Sequence, residues 1–508
     1  MDMSSVFASQ SASHDQSDPA GALNSIRICR NKFEFNHLQS GMDIERRIRN
    51  IEAFAEEGAP ALQQAWDCAI RASTPDGILN TALQYYASAL DSHMDALIEA
   101  AGDIRLSPET FDRLTKRSLD LLTEMATWNA LAYQPLEKKW AMQRLRILQI
   151  WFDRKMHSPT LSFARPTIVP TDSGKPDVSM LRYLAAQALR QFPSLAHAIV
   201  RSILIELCGA AAFTRVEIHH LVRVIRLLAP HVPIHGELRR AGYFGIDVSS
   251  GCARTFKVEE ASRHVSGIAV SADDIERALG FIRFNKVDWG DSLPEIDHES
   301  LYAKLLKHHW TAQAPERRNP RERISQPVNV HHGFKDVLQL IMKNGETGLN
   351  RSLSGQLIDM SATGCALIIP RWTAGSLFAP GRLIGLQGDA LPGRQKFGSV
   401  VWMRETGNTP RMLQFSIEFF GCMPRYVTMR SEQPFPSRMQ VENFIFLPPD
   451  DPDHDEKTGA DARLMLPPGT YLPGRRLQDI HTGKVYALSN RLSLRQDHEI
   501  CGAADIGN

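Results

Sequence analysis

Residues 316–325 read ERRNPRERIS and residues 355–368 read GQLIDMSATGCALI. The second stretch decides how the C-terminal half of the chain folds. Its apolar residues fall in two short runs, GQLI and CALI, on either side of the polar turn DMSATG. Runs of that length joined by a tight turn read as two antiparallel strands. The same texture continues outward from residue 320: QPVNVHHGF, RLIGLQG, KFGSVVWMRET and MLQFSIEFF are short apolar runs separated by Gly, Asn and Pro. They predict a small antiparallel β barrel or sandwich, with a short helix at FKDVLQLIMKN.

The first stretch places Arg317, Arg318, Arg321 and Arg323 within seven positions just ahead of this β region. Four guanidinium groups cannot be buried unpaired, so they face solvent or a ligand. The planar fork of arginine suits phosphate oxygens and the acceptor edge of guanine, and its flat face stacks on bases. Asp359 offers an acceptor for the N1–H and N2–H donors of a guanine. Ser361 offers a hydroxyl to phosphate or base, and Gly364 gives the backbone room to turn or a ligand room to approach.

An R-x-x-x-R run followed by [D/N]-x-S-x-x-G at the head of a β barrel resembles the PilZ domain family. Arg317-Arg318-Asn319-Pro320-Arg321 supplies the first motif and Asp359-Met360-Ser361-Ala362-Thr363-Gly364 the second. The later run GSVVWMRET…QFSIEFF is similar to later strands of that family. Ser416 stands where a glycine is common, and the connection between the motifs is long and holds a helix. The resemblance spans about residues 317–430. It implies a six-stranded barrel that binds cyclic di-GMP, with Arg317, Arg318, Arg321 and Arg323 around its guanine and phosphates and Asp359 and Ser361 on guanine. The alternative is a ligand-free barrel that serves as an adaptor or scaffold.

The N-terminal half has a different pattern. In SPETFDRLTKRSLDLLTEMATWNALAY, Ser107 can cap a helix and Pro108 fits its first position. Phe111, Leu114, Leu121, Leu122, Met125 and Trp128 then recur at helical spacing. In EKKWAMQRLRILQIWFDRKM the expected apolar side is Trp140, Leu145, Leu148 and Phe152. The fold class expected is therefore α + β and multidomain: an all-α N-terminal region, then a small antiparallel barrel with an extra C-terminal β segment. The boundaries expected are a disordered tail over 1–24, a mainly helical domain over 25–300, a connector over 301–316, a barrel over 317–445, an acidic linker over 446–461 and a β-rich extension over 462–508.

Composition sets limits on function. With 58 basic and 57 acidic residues among 508, net charge makes no case for a nucleic-acid polymer as partner. The seven cysteines are odd in number and nowhere form C-x-x-C, which fits reduced thiols and no metal site. The N-terminus has no apolar signal region. The most apolar stretch, 195–213, carries His197, Arg201 and Glu206, so no membrane insertion is expected and the cytoplasm is the default. GETGLNRS at 345–352 lacks the G-K-[ST] ending of a phosphate loop. No catalytic residue, metal or cofactor is expected, and the protein is read as no enzyme. The reading is a receptor that takes cyclic di-GMP as ligand and relays it to a protein partner through the helical region.

Overall fold

The computed structural model describes residues 19–38, 43–71, 76–103, 105–156, 189, 192–235, 243–247, 250–256, 265–284, 301, 305, 320–343, 352–371, 377–389, 391–406, 411–431, 441–448, 462–495 and 497–506. Most of the connector expected over 301–316 lies outside these. The chain divides into a helix-rich unit, Met1–Ala210 with Arg215–Pro315, and a strand-rich unit, Glu316–Asn508 with the short segment Ala211–Thr214.

In the helix-rich unit, α1 (Pro19–Leu38), α2 (Ile44–Arg71), α3 (Asp76–Gly102) and α4 (Pro108–Leu131) are followed by α5 (Lys138–Met156), α6 (Pro193–Leu207) and α7 (Arg215–Leu228). Helix α1 begins inside the tail expected over 1–24, because Ala22, Ile26, Cys29 and Phe33 recur at helical spacing and are buried. Helix α4 starts as its sequence dictates. The Ser107 hydroxyl accepts the Thr110 N–H at 3.2 Å, and Phe111, Leu114, Leu121, Leu122, Met125 and Trp128 are buried. Aromatic pairs tie the layers together: Phe33 meets Tyr85 and Trp66 meets Trp128 edge to face, at centroid distances of 5.4 and 5.2 Å.

Helix α5 buries a face rotated from the one its sequence suggests. Leu148 and Phe152 are buried as expected, and Ala141, Arg144, Ile147 and Trp151 are inside as well, whereas Trp140 and Leu145 are only half-buried. Arg144 is the reason. Its guanidinium donates to the Ser202 hydroxyl at 2.6 Å and the Gly251 carbonyl at 2.5 Å, and pairs with Glu206 at 2.6 Å. Glu206 in turn accepts the Ala253 N–H at 2.8 Å. A buried arginine is tolerable only with such partners. The expectation of a mainly helical domain over 25–300 is amended by a three-stranded antiparallel sheet in the order β2-β1-β3: β1 (Tyr243–Asp247), β2 (Ala253–Phe256) and β3 (Val265–Ser271). Helix α8 (Ala272–Phe284) follows, with the Ser271 hydroxyl accepting the Asp273 N–H at 3.2 Å. No helix among the described residues is long and apolar enough to cross a membrane.

The strand-rich unit holds two closed barrels. The first is β4 (Glu322–His332), β5 (Leu353–Ser361), β6 (Gly364–Pro370), β7 (Leu383–Gln387), β8 (Gln395–Thr406) and β9 (Met412–Phe419), in the order β4-β5-β6-β9-β8-β7. Helix α9 (Gly333–Met342) joins β4 to β5 where a short helix was expected. The second is β10 (Arg425–Ser431), β11 (Val441–Leu447), β12 (Ala462–Leu466), β13 (Arg476–Asp479), β14 (Val485–Leu494) and β15 (Glu499–Asp505), in the order β10-β11-β12-β15-β14-β13.

One barrel over 317–445 with a β extension over 462–508 is thereby corrected. The first barrel closes when β4 pairs with β7, so it leaves no edge for β10 and β11, which pair with β12 and β13. Strand β11 runs to Leu447, past the start expected for the acidic linker. The two barrels share a core. Val337, Leu340 and Ile341 of α9 and Leu383 and Phe397 of the first barrel pack with Ile445, Leu447 and Met465 of the second. Asp497, before β15, accepts the Leu383 N–H at 3.1 Å across this joint.

Candidate functional site

The motif residues meet on the outer wall of the first barrel. Arg321 directly precedes β4, and its Nη1 donates to Asp359 Oδ1 on β5 at 2.9 Å. The same oxygen accepts the Ala366 N–H of β6 at 3.2 Å, so a backbone donor fixes the carboxylate. Arg323 lies opposite Asp359 in the β4–β5 ladder, and its side chain is exposed. Arg317 and Arg318 lie outside the described residues.

The hairpin is tight because Ser361 pairs with Gly364 across the two-residue turn Ala362-Thr363. The Ser361 hydroxyl donates to the Gly364 carbonyl at 3.2 Å. The Thr363 carbonyl accepts the Phe419 N–H at 2.9 Å, which ties the turn to β9. Gly364 also serves the packing of the wall. A Cβ at this position would stand 2.4 Å from the Ile417 carbonyl oxygen of β9. Gly398 on β8 meets the same strand from its other side, with a Cβ 2.1 Å from the Glu418 oxygen. The two glycines let three backbones close together.

The register extends the site beyond the motif. One row crosses the wall from Arg323 through Asp359, Ala366 and Ser416 to Trp402. Leu357, Leu367, Phe415 and Met403 form the adjacent inward-facing row and are buried, so by alternation the Arg323–Trp402 row faces outward. Ala366 and Ser416 are small and buried, at 1% and 3% exposure. A charged end and an aromatic end flank them. From β5 to β8 is three strand spacings, about 14 Å. Trp402 is partly exposed, and the Arg404 guanidinium lies over its ring at 5.5 Å, steadied by two hydrogen bonds to Gln414 Oε1 at 3.1 and 2.9 Å. Sequence reading used Trp402 only to recognise a strand. The signal for its role is register, which becomes visible only once β8 and β9 are paired.

Other cysteine and histidine side chains sit in settings of their own. Burial, helped by the Asp359 charge, pushes the inward Cys365 thiol up to about 12, so it is no nucleophile at neutral pH. His331 and His332 end β4, at the opposite end from Arg323. Burial holds both below the usual histidine range. In the helix-rich unit, His219 accepts the Trp66 indole N–H at 2.8 Å and His220 is buried, so this pair belongs to the core.

The chain matches no protein-family model, and no curated protein matches it.

Proposed function

We propose that the first barrel is a cyclic di-GMP receptor of the PilZ kind. The single observation that carries this reading is the row across the wall: guanidinium groups and a fixed carboxylate at one end, two small buried residues between, and a partly exposed indole at the other. Arginines neutralise and fork onto phosphates. Asp359 accepts guanine N–H donors through the oxygen that Arg321 does not hold. Trp402 gives a base a face to stack on, a contact indifferent to base identity. Asp359 therefore supplies the preference for guanine. Nothing in this chemistry requires a catalytic group, a metal or a cofactor. The reading also keeps the protein in the cytoplasm, with a protein partner on the helix-rich unit as the output.

One observation favours the second reading, a ligand-free adaptor. Asp359 already pairs with Arg321, and the Ser361 hydroxyl is already satisfied within the turn. Isothermal titration decides between them. Cyclic di-GMP is titrated into the wild type and into Arg317→Ala/Arg321→Ala, with cyclic di-AMP and GTP as controls. Selective micromolar binding that the variant loses is the expected result. A folded wild type that binds nothing refutes the receptor and leaves the adaptor.

A further inference from the structure

The second barrel repeats the first strand for strand. Numbering each barrel's strands from one to six, both have the order 1-2-3-6-5-4. Their rows can therefore be matched. Each wall has an inner row, Leu357–Leu367–Phe415 in the first barrel and Phe446–Leu464–Cys501 in the second. On the side away from the hairpin turn, the next outer row of the first barrel is Pro327–Gln356–Ile368–Gln414. Its counterpart in the second is Tyr426–Ile445–Met465–Ile500. On the turn side, Asp359–Ala366–Ser416 corresponds to Leu447–Arg463–Gly502.

The matched rows differ at particular positions. Where the first barrel has the carboxylate of Asp359, the second has Leu447, which is 1% exposed. Where the first has Gln356 and Ile368, the second has Ile445 and Met465, both buried. These residues are covered by Val337, Leu340 and Ile341 of α9 and by Leu383 and Phe397 of the first barrel. Helix α9 connects β4 to β5, the two strands that carry Arg323 and Asp359.

We propose that the second barrel is a repeat of the first whose ligand wall has become a socket for α9, so that the chain takes nucleotide at the first barrel alone. The nucleotide half of this proposal rests on the receptor reading above; the socket half does not. Two measurements on the full chain test it. In the first, cyclic di-GMP is titrated into Arg317→Ala/Arg321→Ala, into Arg425→Ala/Arg463→Ala, and into the fourfold variant. The first pair is expected to abolish binding. The second pair takes Arg463 from the matched turn-side row and the exposed Arg425 from the first strand of the same barrel, and it is expected to leave affinity and stoichiometry within twofold of wild type. Residual binding in the first pair that vanishes in the fourfold variant overturns the proposal.

The second measurement is hydrogen exchange in Met465→Asp, with Met465→Leu as the conservative control. A charge in the socket is expected to speed exchange at least tenfold in α9 and β7 as well as in β11 and β12, and the leucine variant is expected to match wild type. Exchange that rises in β11 and β12 alone overturns the socket. A wild type that binds no nucleotide refutes the receptor and the one-site count together, and the exchange result then upholds or overturns the socket by itself.

Discussion

Replacing Gly364 with alanine separates two explanations for a motif residue. If this glycine serves a ligand, Gly364→Ala loses binding and keeps its stability. If it serves the wall, stability falls. The new Cβ would stand 2.4 Å from the Ile417 carbonyl oxygen, roughly 1 Å inside normal contact. The oxygen cannot swing aside, because β9 is paired with β6 on one flank and β8 on the other. Overpacking of this kind costs about 1–3 kcal/mol. For a cooperative unit of this size, each kcal/mol shifts the midpoint by about 2–4 °C, so a fall of about 2–12 °C is expected. Calorimetry of the full chain would follow the transition of the strand-rich unit. Gly398→Ala, with its Cβ 2.1 Å from the Glu418 oxygen, is expected to cost at least as much. An unchanged midpoint in Gly364→Ala combined with lost cyclic di-GMP binding would refute the packing explanation.

Three other perturbations probe separate parts of the molecule. Trp402→Ala is expected to weaken cyclic di-GMP binding about 5- to 150-fold, the worth of one stacked base, and Trp402→Phe to recover most of it; equal affinities in titration would remove Trp402 from the site. Arg144→Met leaves Glu206 buried without its cation, and a loss of about 3–5 kcal/mol in urea unfolding of the helix-rich unit is expected; a variant as stable as wild type would show the pair to be dispensable. Burial holds His93 and His219 down at about 3, against 6.5 when unfolded. Below pH 6.5 the unfolded chain binds protons that the fold refuses, so stability falls as pH drops from 6.5 toward 3. At pH 5 each histidine costs about 2 kcal/mol relative to pH 8. Urea unfolding followed by fluorescence, with Trp66 beside His219 as reporter, should show this slope, and a flat profile between pH 8 and 5 would contradict it.

Local signals were legible in the sequence. The Ser107 cap, the α4 stripe, helix α9 and the hairpin of GQLIDMSATGCALI each depend on residues a few positions apart, and each forms where its pattern says. The Arg321–Asp359 contact spans 38 residues, and it was the motif rather than periodicity that pointed to it. What stayed hidden depends on partners far along the chain. Arg144 reads as a solvent residue until Glu206 is brought beside it. Trp402 reads as a strand residue until Ser416 is set opposite. Strands β10 and β11 look like a continuation of the first barrel, because apolar alternation marks a strand without saying which strand closes the ring. Closure at β4 and β7 makes that assignment.

That closure also governs how other chains can meet this half of the protein. In each barrel the first and fourth strands in chain order pair, so among the described residues no strand there lies along its whole length at the margin of a sheet. A passing peptide has little ladder to extend by adding a strand. Recognition at the barrels is left to side chains on their walls and ends, where a few substitutions can change a partner without disturbing the ladder beneath. The small sheet of the helix-rich unit differs, since β2 lies at its margin. Even there the Ala253 N–H is already donated to Glu206, so the ion pair that steadies α5 also blunts that edge.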